Sequence, residues 1–229
     1  MKLAVMQPYL FPYLGYFQLI RAVDAFVVYD DVNYIKGGWI NRNFVLSESD
    51  KQLITLPLQG ASPNQLINQV TVGNRHNKLI ETIRHRYGKA PQFSAVFALV
   101  ENILNQQEKN LARFLEYQLR QVCDYLGLHP TWYVSSSLKK DNELRGQDKV
   151  LAICEELGAT HYINMPGGKS LYNREAFASR GIQLSFIQPK AVAYRQFANE
   201  FTPNLSIIDV MMFNDQAQCA KLLEEYELV

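Results

Sequence analysis

Leu3-Ala4-Val5-Met6 runs directly into Gln7-Pro8-Tyr9-Leu10-Phe11-Pro12-Tyr13-Leu14-Gly15-Tyr16, then Phe17-Gln18-Leu19-Ile20-Arg21-Ala22, then Ala25-Phe26-Val27-Val28-Tyr29-Asp30-Asp31. The first and last segments are short apolar runs bounded by turn formers, the pattern of strands buried on both faces. Between them, a turn dense in aromatics leads into a helical pattern. Pro8 and Pro12 lack a backbone N–H and bar a central strand or helix interior there. Gly15 lets the chain pass close to a neighbour or a ligand. The reading is strand, turn, helix, strand. Asp30-Asp31 then fall where a parallel strand ends, the edge outside which ligands gather in an open α/β sheet.

Outward from this stretch, Phe44-Val45-Leu46 and Leu53-Ile54-Thr55-Leu56 flank a polar turn and predict a hairpin between Asn43 and Leu58. Leu66 to Val72 reads as another short strand. Apolar residues at helical spacing then predict three helices, over Leu79 to Tyr87, Phe93 to Leu104 and Leu111 to Leu126, the last two the clearest. Beyond them strands and helices alternate. Thr131 to Val134, His161 to Asn164 and Ile182 to Ile187 are strands; Asp148 to Leu157 is a helix, and Asn173 caps a short one. Such alternation means right-handed crossovers and a parallel sheet. The tail from Phe201 reads as two helices, with Ser206-Ile207-Ile208-Asp209 as a capping box and Asn214-Asp215 capping the second. The expected fold class is α/β: a Rossmann-like parallel sheet of about five strands with helices on both faces, plus an inserted hairpin and helical segment. The whole chain, 1–229, is expected to be one domain, with 44–110 as a possible subdomain insert.

At 229 residues the chain is long enough for a full core. Its net charge of +1 argues against bulk binding of nucleic acid or an anionic membrane. No apolar run reaches the roughly 18 residues of a membrane span. Pro8 and Pro12 interrupt the first hydrophobic stretch, so no signal peptide is read, and the cytoplasm is the expected compartment. The 3 cysteines, Cys123, Cys154 and Cys219, are odd in number and widely spaced, which argues against a disulfide scaffold or a zinc site and for core positions.

Several groups can carry chemistry, each beside a plainer structural role. Tyr9, Phe11, Tyr13, Tyr16 and Phe17 either cap the sheet edge or wall a cleft where a base or sugar ring stacks. Adjacent on a strand end, Asp30 and Asp31 point apart and make a poor shared-proton pair; a cleft role for one is expected. Lys36, Trp39, Asn41, Arg42 and Asn43 lie in a glycine-containing loop. Arg42 there can grip a phosphate or carboxylate through two parallel hydrogen bonds; otherwise the segment is a solvated loop. Ser135-Ser136-Ser137 and Gly167-Gly168, with Tyr172 beyond, follow predicted strands and can hold phosphate at helix starts. His76, His85, His129 and His161 show no metal spacing, and no metal site is expected. No Walker loop, Gly-x-Ser-x-Gly or Gly-x-Gly-x-x-Gly occurs.

Met6-Gln7-Pro8-Tyr9, Gly15-Tyr16-Phe17-Gln18-Leu19-Ile20, Tyr29-Asp30-Asp31-Val32, Lys36 with Trp39-Ile40-Asn41-Arg42-Asn43, and Pro203-Asn204-Leu205-Ser206-Ile207-Ile208-Asp209 together resemble the WbqC-like family. That resemblance implies a protein of O-antigen or surface-polysaccharide assembly, with glycine transfer to a sugar as the suggested activity. More distantly, the opening resembles nucleotidylyltransferase-like enzymes of the pantothenate synthetase type, which carry His-x-Gly-His. Tyr13-Leu14-Gly15-Tyr16 stands at that place here, so both histidines are replaced by tyrosine, which brings no positive charge near neutral pH. ATP is therefore a possible cofactor with weakened support.

From residues and resemblance together, the expectation is an enzyme joining glycine or a similar small acyl group to the amine of a nucleotide-linked sugar. Its partners would be that sugar nucleotide and an acyl donor. Asp30 or Asp31 would accept the amine proton, with Lys36 beside them. Lys36, Arg42 and Asn43 would hold the anionic part of the ligand, and Gln7, Tyr9, Tyr13 and Tyr16 would line the sugar or base pocket. Gly15, Gln18, Trp39, Asn41, Gly167, Gly168, Tyr172, Asn204, Ser206 and Asp209 complete the candidate binding set. Two alternatives stay open: an ATP-dependent adenylating ligase or nucleotidylyltransferase, and a non-catalytic sugar-nucleotide-binding module.

Overall fold

The computed structural model describes residues 1–48, 50–74, 76–197 and 200–229. Strand β1 (Lys2–Met6), helix α1 (Leu14–Arg21) and strand β2 (Ala25–Val28) form the opening unit as expected. An antiparallel hairpin follows, β3 (Arg42–Leu46) with β4 (Lys51–Thr55), and then the two-residue strands β5 (Leu58–Gln59) and β6 (Thr71–Val72). Helices α2 (Asn77–Tyr87), α3 (Phe93–Leu104) and α4 (Leu111–Leu126) come next. The chain then alternates: β7 (Thr131–Val134), α5 (Gly146–Glu156), β8 (His161–Asn164), α6 (Arg174–Ala178) and β9 (Gln183–Pro189). Helices α7 (Ile207–Phe213) and α8 (Gln216–Leu223) and strand β10 (Tyr226–Leu228) close it.

Among the described residues, six strands share the central sheet in the order β10-β9-β8-β1-β2-β7. Five are parallel; β10 pairs antiparallel with β9, Glu227 opposite Gln188. The chain winds outward from β1 through β2 to β7, crosses back to β8 on the other side of β1, and continues outward to β9. The order therefore reverses beside β1, the arrangement of a doubly wound sheet.

Period-two alternation sorts the strand residues onto two cores. Ala4, Phe26 and Val28 face a large core with α1, the hairpin, α2 to α4, α7 and α8. Leu3, Val5, Ala25 and Val27 face a smaller one with α5 and α6. The central strands β1 and β2 are covered on both sides, which is why they read as unbroken apolar runs. Complete burial of a side chain such as Phe26 contributes roughly 1.5–3 kcal/mol. Cys123, Cys154 and Cys219 are free and buried, and burial pushes the Cys154 and Cys219 thiols up to about 12.

Leu66 to Val72 is not one strand. Ile67–Gln69 form a 3-10 turn, and only Thr71–Val72 pair as β6. The donors there go elsewhere: Ile67 N–H to the Val32 carbonyl and Asn68 N–H to the Asp30 carbonyl, at 2.9 and 3.1 Å, so the segment is stitched to the exit of β2. The tail holds a strand after its two helices, too short to show a period of its own. Ser206 caps α7 by accepting from Ile208 N–H at 3.2 Å, but Asp209 does not complete the expected box, because its carboxylate turns to three other donors. Among the described residues no helix is long and apolar enough to cross a membrane.

Candidate functional site

A cleft of about 540 Å³ opens at the carboxyl edge of the sheet. One wall is the start of α1, with Tyr13, Gly15 and Gln18. The other is the chain leaving β9, from Pro189 to Tyr194, and Phe201, Asn204 and Leu205 close it. At the N-cap of α1, Tyr13 is extended (φ −70°, ψ 168°) and its side chain provides no cap, and the first residues of the helix line the cleft. The Tyr13 ring lies against Gly15 instead: a Cβ there would sit 2.5 Å from Tyr13 Cε2. Gln18 is fully buried, and its Nε2 donates to the Leu222 and Glu225 carbonyls at 2.8 and 3.0 Å. Those two bonds fix the amide orientation and leave Oε1, itself buried, without a partner among the described residues.

The turn before α1 is strained and heavily braced. Phe11 has φ 39° and Asn204, across the cleft, has φ 59°, both in the left-handed region costly for a residue with a Cβ. Phe11 N–H donates to Gln118 Oε1 at 2.7 Å. Its carbonyl accepts from Asn43 Nδ2 at 2.7 Å and Ser206 Oγ at 2.8 Å, and Asn43 also reaches the Leu10 carbonyl at 3.1 Å. Tyr16 is buried behind the turn and donates to the Gln7 carbonyl at 2.8 Å. Tyr9 packs against it, ring centroids 5.7 Å apart, and its hydroxyl donates to Gln7 Oε1 at 3.4 Å. Asn41 donates to the Leu56 carbonyl and accepts from Tyr34, tying the preceding loop to the hairpin.

Asp209 does for the opposite wall what Asn43 does for the turn. Oδ1 accepts from Tyr87 at 2.9 Å, and Oδ2 from Tyr194 at 2.6 Å and Gln196 at 2.7 Å. Burial raises the Asp209 carboxyl above its ordinary value, although hydrogen bonds from Tyr194, Gln196 and Tyr87 oppose the rise. Tyr194 is shifted upward as well, first by burial and then by the neighbouring Asp209 charge, so its hydroxyl stays protonated. Through Tyr194 a carboxylate that is itself out of contact with solvent reaches the cleft wall.

The two adjacent aspartates do point apart, and neither lines this cleft. Asp30 accepts from Ser136 N–H and Oγ at 2.9 and 2.6 Å and from Asn68 Nδ2 at 3.1 Å. Asp31 Oδ2 holds Lys140 Nζ at 2.8 Å and Lys149 Nζ at 2.9 Å, all three side chains buried. Burial pushes the Asp31 carboxyl up, but the Lys140 and Lys149 ammonium groups, with Ser135 nearby, outweigh it and hold the group below its ordinary 3.8. Lys36 and Trp39 are exposed. Arg42 donates Nε to the Gly38 carbonyl at 3.0 Å, with its guanidinium 5.9 Å from the Trp39 ring centroid. Gly167 is exposed and Gly168 buried, while Tyr172 folds inward against Tyr162 and Phe177.

Of the candidates, then, Tyr13, Gly15, Gln18 and Asn204 meet in the cleft. Gln7, Tyr9, Tyr16, Asn43, Ser206 and Asp209 brace its walls. Asp30, Asp31, Lys36, Trp39, Asn41, Arg42, Gly167, Gly168 and Tyr172 lie outside its lining. Tyr194 and Phe201 were not anticipated. They sit in the long irregular segment between β9 and α7, and that length was itself the available signal, since long loops inside compact folds are usually functional.

A six-stranded sheet that reverses its order beside β1, with a cleft at the first helix, makes this a doubly wound α/β protein. The chain belongs to the WbqC-like protein family, whose model matches residues 7–221. It is 29% identical over 242 residues to an uncharacterised protein, Rv1507c, of Mycobacterium tuberculosis (strain ATCC 25618 / H37Rv), and the match covers 97% of each chain. No solved structure matches it significantly.

Proposed function

We propose that this protein is an enzyme of bacterial surface-glycan assembly. It takes a nucleotide-linked amino sugar into the α1 cleft and joins glycine, or a similar small acyl group, to the sugar amine. The observation that carries this reading is the cleft itself. Its roughly 540 Å³ is within the range of small-ligand sites. Tyr13, Tyr194 and Phe201 offer ring faces for a base or sugar, and the start of α1, where Tyr13 provides no side-chain cap, favours an anionic phosphate.

In the reaction the amine nitrogen attacks the acyl carbon, the new C–N bond forms, and the bond to the donor's leaving group breaks. The amine must lose a proton. In this reading Tyr194 oxygen accepts it while passing its own proton to Asp209, whose raised affinity for a proton suits the task. Asp209 thus takes the role that the sequence suggested for Asp30 or Asp31, because it is the carboxylate connected to the cleft wall. The test is calorimetry with UDP- and dTDP-linked amino sugars, followed by mass spectrometry after addition of a glycyl thioester, or of glycine with ATP. Binding and a product heavier by one glycyl group are expected. Absence of binding by any sugar nucleotide would overturn the reading.

A second reading rests on the distant resemblance alone, and the loss of both histidines weakens it. Tyr13-Leu14-Gly15-Tyr16 begins α1 at the cleft, where nucleotidylyltransferase-like enzymes carry His-x-Gly-His. Amino-acid-dependent ATP–pyrophosphate exchange would identify an adenylating enzyme instead.

A further inference from the structure

A second cavity, of about 210 Å³, lies at the carboxyl ends of β2 and β7 against the first turns of α4. It shares no lining residue with the α1 cleft, which abuts β9 farther along the sheet. Its lining carries charges of both signs that the protein leaves partly unused.

Asp30 and Glu116 supply the negative side. Asp30 is almost fully buried and accepts three hydrogen bonds, from Ser136 N–H, Ser136 Oγ and Asn68 Nδ2. A carboxylate offers about four acceptor positions, so about one remains. Glu116 holds Arg120 through Oε1 alone, at 3.0 and 2.7 Å, and Oε2 takes no hydrogen bond among the described residues. Arg113 supplies the positive side. It stands three residues before Glu116, on the same face of α4. Among the described residues Arg113 forms no ion pair, because Glu116 engages Arg120 instead.

A lone anion in this space would meet two carboxylates, and a lone cation would meet a guanidinium. A small molecule bearing an ammonium and a carboxylate satisfies both sides. The volume suits such a molecule and is below the range of sites that take nucleotides. We propose that this cavity binds a small α-amino acid. Its ammonium lies between Asp30 and Glu116, and its carboxylate is gripped by Arg113 in the two-bond geometry that guanidinium groups favour, beside the Ser137 hydroxyl. This assignment does not depend on what the α1 cleft binds.

The test is calorimetry on the full chain with glycine, L-alanine and L-serine, set against the half-ligands glycolate and methylamine. The amino acids are expected to bind, and each half-ligand to bind roughly tenfold more weakly or worse, the effect of losing one charge-assisted contact. Arg113→Ala and Glu116→Gln are each expected to weaken amino-acid binding roughly ten- to a hundredfold. Arg113 is exposed, so the unfolding temperature of Arg113→Ala should stay that of the parent. The proposal is overturned by any of three results: no amino acid binds at millimolar concentration, glycolate binds as tightly as glycine, or Arg113→Ala binds like the parent protein.

Discussion

The Tyr194 hydroxyl donates to Asp209 Oδ2 across 2.6 Å, and this contact joins a carboxylate with no exposed surface to the wall of the cleft. Tyr194→Phe removes a donor that stabilises the ionised form of Asp209. A loss of about 1–2 kcal/mol is expected at neutral pH. Because the folded Asp209 carboxyl is raised above its ordinary value, its contribution is fullest at acid pH and declines as pH rises through the raised value. The variant's deficit should therefore grow from acid to neutral pH in urea titrations; a deficit independent of pH would mean that the two groups are not coupled.

Asp31 predicts the opposite limb. Its folded carboxyl lies below 3.8, so the stability it contributes is present above that value and is lost as pH falls through the lower one. Asp31→Asn leaves Lys140 and Lys149 buried without a counter-charge, a loss of about 3–5 kcal/mol at neutral pH. Chemical denaturation should show that gap narrowing at strongly acid pH, where the parent carboxyl is also neutral.

Gly15→Ala tests the geometry of the cleft without touching its chemistry. The new methyl collides with the Tyr13 ring, which must swing away from the start of α1. Helical alanine is favoured over glycine by about 1 kcal/mol, so thermal stability should hold or rise slightly while sugar-nucleotide affinity falls. Unchanged affinity would remove Tyr13 from the binding wall.

Asn43→Ala withdraws both hydrogen bonds that hold the Leu10 and Phe11 carbonyls, while Phe11 retains its left-handed backbone. Two buried acceptors lose a partner, and about 2–4 kcal/mol of destabilisation is expected. Hydrogen exchange should accelerate first in the turn from Gln7 to Tyr13. Protection there equal to the parent's would show that Ser206 and Gln118 suffice.

Arg42→Ala separates two views of the Asn41-Arg42-Asn43 triplet. Arg42 Nε is engaged by the Gly38 carbonyl and the guanidinium sits over Trp39, away from the cleft lining. Sugar-nucleotide affinity is expected to remain within about twofold of the parent's, in keeping with a partly exposed contact. A loss of tenfold or more would restore an anion-gripping role.

The strands and long helices were readable because each is a local pattern. Leu3 to Met6 and Ala25 to Val28 are covered on both faces and must be apolar throughout, and α4 must repeat its buried stripe every turn. Asn43, Ser206 and Asp209 could be singled out by their match to a family pattern, but not their task. Asn43 and Ser206 brace a strained turn far from them in sequence, and Asp209 holds Tyr194 and Gln196 of the loop that leads into α7. A polar residue reads the same whether it meets a ligand or a buried carbonyl.

Composition and periodicity were enough for the α/β class, the covered parallel strands and the hairpin, since each depends on neighbours within a few residues. The position of the cleft, the separation of Asp30 from Asp31 into different surroundings, and the seating of Asp209 behind Tyr194 depend on which strands lie side by side. Strand order is set by crossovers and by burial summed over the entire core, and no short stretch of chain carries that information.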